Sequence, residues 1–153
     1  MATNVLSPIA GRAGALEDVP DPVISQGIVG PGAAIDPTAD VLDVVAPIAG
    51  TLVKVFPHAF VIAGADGVGV LVHLGIDTVK LDGEGFTVLV EQGSTVAAGD
   101  PVVIWDVPAI VAAGYSPVSP VIVMDRAAEL VAVADGVEGA ATQPGQPLLT
   151  VSA

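Results

Sequence analysis

The chemistry open to this chain depends on two histidines, because its 153 residues include only His58 and His73 and no cysteine. An imidazole acts as a nucleophile, a metal ligand or a phosphoryl acceptor near neutral pH. One histidine in a valine-rich strand is most often structural, whereas two on one face favour a chemical role. The geometry between these two side chains therefore matters most.

Two apolar runs that carry the histidines are predicted to form a β-hairpin. Residues 58–63 and 68–74 are separated by a short segment in which Asp66-Gly67 is a strong signal for a two-residue turn. Runs joined by such a turn pair as antiparallel strands. The hairpin would bring the two histidines into the same part of the fold.

The register that this turn implies places both histidines on one face of the hairpin. It pairs Phe60 with His73 and His58 with Gly75, so that the Cβ atoms of the histidines would lie about 7 Å apart. Other side chains expected on this face are Phe56, Phe60, Ile62, Leu71 and Asp77. A shift of one residue in this register would put the histidines on opposite faces.

The spacing of glycine and proline along the chain predicts an all-β fold. The 18 glycines and 13 prolines recur every few residues, with short runs of valine, isoleucine and leucine between them. Helix signals are few: residues 106–114 favour one short helix and residues 125–133 a second. We expect a single domain over residues 1–153, with its core at about residues 6–150.

Two short motifs each occur twice in the chain. The Pro-x-x-Gly motif of residues 7–11 recurs at 46–50, and the glycine-turn motif of residues 99–103 recurs at 145–149. Each first motif is typical of a strand start, and each second one leads from a tight turn into a strand. We therefore expect an interleaved internal repeat within a flattened antiparallel β-sandwich or barrel-sandwich.

Charge and hydropathy limit the classes of partner. Seventeen acidic residues against four basic ones give a net charge of −13, which would repel nucleic acid and anionic lipid and favour a basic protein partner. Every apolar run is broken well before the ~20 residues that a membrane span requires. The N-terminus lacks the pattern of a signal peptide. We expect a cytoplasmic protein with no nucleic-acid partner and no direct membrane insertion.

Six segments, taken in order, resemble one known family: the glucose-type enzyme IIA component of the bacterial phosphoenolpyruvate-dependent sugar phosphotransferase system. The segments are residues 19–23, 32–38, 45–50, 58–60, 73–79 and 83–86. The resemblance covers about residues 6–150. Its most specific motif is His-x-Gly-Ile-Asp-Thr-Val at residues 73–79.

The resemblance implies an all-β sandwich that accepts a phosphoryl group from the phosphocarrier protein HPr and passes it to a cysteine of enzyme IIB. His73 matches the phosphorylated histidine and His58 the second active-site histidine. The carbonyl of Gly75 would hold Nδ1–H of His73 and leave Nε2 as the nucleophile. No cofactor and no metal are implied, and enzyme IIB, with the membrane component IIC, would be a separate chain.

The resemblance also implies a partner-binding surface around the histidines. Asp21 and Asp77 match acids that meet arginines of HPr. The apolar part of this surface would consist of Ile28, Val29, Phe60, Leu71 and Val79. One departure is the turn at residues 56–58, which is shorter than in the best-known members and lacks the threonine that supports the histidine pair there.

Two alternatives remain open on the residues alone. The first is a regulatory protein whose phosphorylation state controls permeases or kinases through the same surface. The second is a zinc hydrolase, for which only His58, His73 and Asp77 could serve as ligands; the absence of a His-x-His motif weighs against it.

Overall fold

The fold was obtained as a computed structural model, which describes residues 3–26, 29–64 and 67–152. The strands are β1 Thr3–Leu6, β2 Gly11–Ala15, β3 Gly32–Pro37, β4 Val41–Val45, β5 Gly50–Phe56, β6 Ala59–Ala63, β7 Gly69–His73, β8 Phe86–Val88, β9 Thr95–Val96, β10 Pro101–Asp106, β11 Ser119–Met124, β12 Val131–Val133, β13 Ala141–Thr142 and β14 Pro147–Val151. The helices are α1 Pro22–Ser25 and α2 Val107–Ala112, with 3-10 turns at Leu16–Asp18, Thr78–Leu81 and Ala128–Leu130. The predicted all-β class is confirmed.

The strands form one large sheet and two small ones. The eight-stranded sheet has the order β13-β2-β3-β11-β7-β6-β5-β9, and the three-stranded sheets have the orders β1-β14-β12 and β4-β10-β8. Antiparallel pairing holds throughout the registers, as expected for a sandwich. Side chains from all three sheets meet in one apolar cluster, in which Trp105, Phe60 and Leu52 are fully buried.

The order of strands in the large sheet is symmetric about the β11–β7 pair, so the two halves of the chain interleave. Two backbone bonds show the symmetry directly: the N–H of Leu6 donates to the carbonyl of Pro47 over 2.9 Å, and the N–H of Val45 donates to the carbonyl of Pro8 over 2.9 Å. The residue before each Pro-x-x-Gly motif thus donates to the proline carbonyl of the other motif. The predicted interleaved repeat is confirmed.

The glycine-turn motifs are equivalent in the same way. The Oδ2 atom of Asp100 accepts the N–H of Ala97 over 2.8 Å, and the Oε1 atom of Gln146 accepts the N–H of Gln143 over 2.8 Å. Each side chain accepts the backbone N–H three residues before it and so closes a four-residue turn. The repeat therefore extends to individual side-chain contacts.

The predicted register of the β6–β7 hairpin is wrong by one residue. Ala59, and not Phe60, faces His73. The N–H of Gly64 donates to the carbonyl of Val68 over 2.8 Å, so three residues (65–67) lie inside the closing pair where the sequence predicted two. Gly67 has a φ of +81°, as three-residue hairpin loops require near their end. Of the predicted turn, Asp66 lies outside the described residues.

This shift moves Phe60 and Ile62 to the core face. Both side chains are fully buried in the main apolar cluster. Leu71 and His73 are only partly buried, alternate along β7 with residues that face the core, and so lie on the outer face of the large sheet. The shared face predicted for Phe60, Ile62 and the histidines is therefore wrong. A single extra loop residue explains the error, because side chains alternate with a period of two.

One of the two predicted short helices is found. Helix α2 follows Asp106, whose carboxylate accepts the N–H of Ala109 over 3.2 Å at the helix N-terminus. The second prediction is wrong: residues 125–133 contain a 3-10 turn and then strand β12, whose Val131 pairs with Val151. Within the described ranges, no helix has both the length and the apolar composition needed to cross a bilayer.

Candidate functional site

His73 is the last residue of β7, and the loop after it determines how its ring is oriented. The ring Nδ1 lies 2.5 Å from the carbonyl oxygen of Gly75. A carbonyl oxygen only accepts hydrogen bonds, so Nδ1 carries the proton and donates it. Nε2 of the neutral ring is left with its lone pair.

The position of the Gly75 carbonyl depends on a crowded backbone. Gly75 has a φ of +83°, and a Cβ atom there would lie 2.6 Å from Cγ2 of Thr78 and 2.9 Å from the carbonyl oxygen of Ser116. Only glycine combines this backbone conformation with this small volume. The N–H of Ile76 donates to the same Ser116 carbonyl over 2.9 Å, which ties the loop to the segment before β11.

The hydroxyl of Thr78 provides a second attachment for this loop. Thr78 is fully buried, and its Oγ1 donates to the carbonyl of Leu74 over 2.7 Å. Its methyl group is the atom nearest to the position that a Cβ on Gly75 would take. One side chain therefore binds Leu74 and packs beside Gly75, whose carbonyl holds His73. The sequence reading missed this residue, although Thr78 lies within the specific motif of residues 73–79.

His58 lies in the two-residue turn between β5 and β6, outside the regular strand. Phe56 and Ala59 form the closing pair of this turn, and the N–H of Leu74 donates to the carbonyl of His58 over 2.7 Å. Strand alternation does not set the direction of a turn side chain. The histidines therefore meet even though the β6–β7 register differs from the predicted one.

The two imidazoles contact each other directly. Their ring centroids are 5.2 Å apart at an interplanar angle of 69°, an edge-to-face arrangement, and both side chains are half-buried. A phosphoryl group bound to one ring at this spacing lies within hydrogen-bonding reach of the other. The arrangement fits a site in which one histidine bonds phosphorus and the other binds its oxygens.

Both imidazoles have a pKa below the ordinary value. Burial is the main cause of the lowered pKa of His58, and the neighbouring His73 adds to it. Burial also lowers the pKa of His73, against the opposing effects of the hydrogen bond to Gly75 and of the negative charges of Asp21 and Asp77. The neutral forms, which carry the nucleophilic lone pair, are therefore favoured at neutral pH.

A second apolar cluster covers part of the outer face of the large sheet beside His73. Leu16, Val19 and Ile24, from the connection between β2 and β3, pack there against Ile76 and Ile122. Asp21 lies within this connection and is half-buried. The packing of residues 16–24 thus brings Asp21 within electrostatic range of His73, at a separation of 52 positions along the chain.

The residues of the predicted partner-binding surface have different environments. Val79 is 57% exposed, and Asp77 is exposed with a left-handed backbone conformation. Leu71 and Val29 are partly buried against the second cluster. Ile28 lies outside the described residues.

Phe60 does not belong to this surface, because its side chain is 0% exposed and lies in the main core. The exposed aromatic ring near the histidines is Phe56, which is 50% exposed and stacks on His58 with 5.8 Å between ring centroids. Phe56 is the last residue of β5 and precedes a proline, and the sequence already predicts it on the same face as the histidines.

The described residues offer no metal site. In residues 3–26, 29–64 and 67–152, no group of three or more His, Asp or Glu side chains is placed to hold a metal ion.

Comparison with known sequences identifies the family. Residues 3–128 match the model of the family described as phosphoenolpyruvate-dependent sugar phosphotransferase system, EIIA 1. The chain belongs to this family. The histidine pair described above lies entirely within the matched range.

Similar proteins include both joined and single components. The beta-glucoside-specific EIIBCA component of Bacillus subtilis is 44% identical over 119 residues, which is 76% of this chain and 19% of that protein. The N-acetylglucosamine-specific EIICBA component of Klebsiella pneumoniae is 46% identical over 121 residues, 78% of this chain and 18% of that protein. This chain thus spans about a fifth of either relative.

Relatives of comparable length are also found. The glucose-specific EIIA component of Staphylococcus aureus is 43% identical over 130 residues, which cover 82% of this chain and 77% of that protein. The solved structure of glucose permease IIA from Mycoplasma capricolum superposes with a TM-score of 0.88 at 34% identity, over 98% of this chain and 96% of that one. The sandwich described above is therefore the fold of this family.

Proposed function

We propose that this chain accepts a phosphoryl group on Nε2 of His73 from the phosphocarrier protein HPr and passes it to a cysteine of enzyme IIB during sugar uptake. The observation that carries the proposal is the hydrogen bond from Nδ1–H of His73 to the carbonyl of Gly75. That bond selects the tautomer whose free lone pair is on Nε2. Family membership supports the same reaction class.

The first step is an in-line displacement at phosphorus. The lone pair of Nε2 forms the new N–P bond while the bond from phosphorus to the donor nitrogen breaks, and the electron pair remains on the donor. Because His73 is neutral at neutral pH, no base is needed to activate it. In the second step the thiolate sulfur of the acceptor cysteine attacks phosphorus, and the electron pair of the breaking P–N bond returns to Nε2, which leaves His73 neutral with its proton on Nδ1.

His58 stabilises the phosphoryl group during both steps. With ring centroids 5.2 Å from each other, the second imidazole is close enough to donate a hydrogen bond to an oxygen on the phosphoryl group of His73. Negative charge spread over these oxygens in the transition state is best stabilised by such a preorganised donor. Docking of the two proteins positions the donor and acceptor atoms for transfer.

Charge and exposed apolar area suit transient protein docking. Asp21 and Asp77 flank His73 in a chain of net charge −13, which favours a basic donor surface. The relatives named EIIBCA and EIICBA join the corresponding parts in one chain, which supports an enzyme IIB and IIC partnership for this one. We place the protein in the cytoplasm on these grounds.

Phosphate transfer from labelled phosphoenolpyruvate through enzyme I and HPr tests the proposal. His73→Ala should take up no label, whereas His58→Ala should be labelled but deliver the label to enzyme IIB far more slowly. Val53→Ala, at an exposed apolar position on β5, is the control expected to match wild type. Labelling of His73→Ala to the wild-type level would refute the assignment.

A second candidate function is control of permeases or kinases by the phosphorylation state. The observation that favours it is the exposed apolar area beside the histidines, where Val79 is 57% and Phe56 is 50% exposed. A phosphoryl group would place about −1.5 to −2 charges next to this area and weaken apolar docking. Equal recovery of candidate permeases by the phosphorylated and unphosphorylated forms would exclude this function.

A further inference from the structure

We propose that Phe56 is a positioning residue whose aromatic ring holds the imidazole of His58 in the orientation that phosphoryl transfer needs. The proposal rests on the function proposed above and adds to it a determinant of rate. It concerns the turn at residues 56–58, Phe-Pro-His, which contains no hydroxyl side chain.

The backbone of this turn is well fixed. Phe56 pairs with Ala59, which leaves only Pro57 and His58 in the loop, and the carbonyl of His58 accepts the N–H of Leu74. The pyrrolidine ring fixes φ of Pro57. Cγ of Pro57 also lies 3.2 Å from the site of a Cβ on Gly83, so the loop is packed on its outer side. What remains to be fixed is the side chain of His58.

The ring of His58 is held by other rings. Among the described residues it makes no hydrogen bond, whereas the ring of His73 has its partner in Gly75. Phe56 stacks on His58 with 5.8 Å between ring centroids and 30° between planes. His73 contacts His58 edge to face at 69°. The imidazole of His58 therefore contacts two other rings.

Phe56 is not placed to serve as a core residue. Its side chain is 50% exposed, although neighbouring Leu52 on the same strand is fully buried in the main cluster. Its ring therefore has an exposed part beside the site, and the stack on His58 is the ring contact that the structure shows for it. Loss of that stack frees the side-chain torsions of His58 and lowers the fraction of molecules in which it meets the phosphoryl group.

The expected effect follows from the strength of an aromatic pair. Such pairs contribute enough to change an equilibrium by about 3- to 10-fold. Phe56→Leu keeps apolar bulk and removes the ring, whereas Phe56→Tyr keeps the ring. The pair of variants thus separates stacking from simple apolar contact.

The kinetic test measures phosphoryl transfer from the labelled protein to enzyme IIB. Phe56→Leu should lower the maximal rate about 3- to 10-fold with KM for enzyme IIB nearly unchanged, and Phe56→Tyr should restore the rate. Val53→Ala, on the same strand and 42% exposed, is the matched control. A change in KM alone, or Phe56→Tyr behaving like Phe56→Leu, would overturn the proposal.

A second arm measures the stack in the free protein by NMR. Because the chain has only two histidines, the ring protons of each are resolved and assigned by His→Gln variants. In Phe56→Leu the signals of His58 should lose the ring-current shift caused by Phe56, while those of His73 stay in place. Unchanged His58 signals would overturn the proposal. Failure of wild type to accept phosphate would instead overturn the proposed function, which the NMR arm does not measure.

Discussion

The amide of Leu74 donates to the carbonyl oxygen of His58 over 2.7 Å, and this bond joins the turn that carries one histidine to the strand that carries the other. The other half of the repeat has the equivalent bond, from the N–H of Val123 to the carbonyl of Pro31 over 2.8 Å. There a proline takes the place of His58. The same backbone connection therefore occurs in both halves of the repeat, and only one half carries the two imidazoles.

Replacing Gly75 should have a larger effect than replacing a glycine that has a similar backbone conformation but open space around it. In Gly75→Ala the new Cβ atom would adopt an unfavourable left-handed backbone conformation and would lie 2.6 and 2.9 Å from Thr78 and Ser116. We therefore expect a loss of more than about 2 kcal/mol in free energy of unfolding and slower phosphate uptake. Urea unfolding and labelling measure the two effects. Gly93→Ala has a similar φ of +94° with open space around it, and should lose only about 1 kcal/mol with normal uptake. Equal losses in the two variants would contradict this account.

The hydroxyl and the methyl group of Thr78 should make separate contributions to stability and to the position of the Gly75 carbonyl. Thr78→Val removes the buried donor to the carbonyl of Leu74 and should cost about 1–3 kcal/mol in free energy of unfolding. Thr78→Ser keeps that hydrogen bond and loses only the methyl group beside Gly75. We expect the valine variant also to shift the tautomer equilibrium of His73, measured by imidazole nitrogen chemical shifts. An unchanged tautomer equilibrium in Thr78→Val would show that Gly75 is held by other contacts.

Stability should fall on acidification because of the histidine pair. The pKa of both His58 and His73 lies below 6.5 in the fold, so the unfolded chain binds more protons as the pH falls. This stabilising contribution is complete above pH 6.5 and is lost between 6.5 and the lower folded-state values. Urea unfolding of wild type and of the His58→Gln, His73→Gln double variant from about pH 8 to about pH 5 measures it. The double variant should lose less stability, and parallel curves would refute the linkage.

The two glycine-turn motifs should make equal and independent contributions. Asp100→Ala and Gln146→Ala each remove one side-chain hydrogen bond to the backbone of an equivalent turn. Each should lower the free energy of unfolding by about 0.5–1.5 kcal/mol, and the double variant by the sum. Thermal or urea unfolding of the three variants provides the measurement. A strongly non-additive double variant would mean that the two turns are coupled through the sandwich.

Local patterns along the chain were sufficient to predict several features of the structure. The helix capped by Asp106, the paired Pro-x-x-Gly motifs and the position of His73 before a tight glycine loop all follow from neighbouring residues. Each depends on backbone conformations that glycine, proline or an acidic cap favours within a few positions. Information of this kind is present in the order of residues alone.

The face on which each strand residue lies was not available from such patterns. One extra residue inside the closing pair of the β6–β7 hairpin moved Phe60 into the core, and the strand at Val131 formed because β14 offered it a partner. The proximity of Asp21 to His73 likewise requires residues 16–24 to pack on the outer face of the large sheet. The order of residues specifies the histidines and their loop. Register and long-range packing depend on contacts between distant segments, and these contacts determine which side chains join the histidines and which are buried away from them.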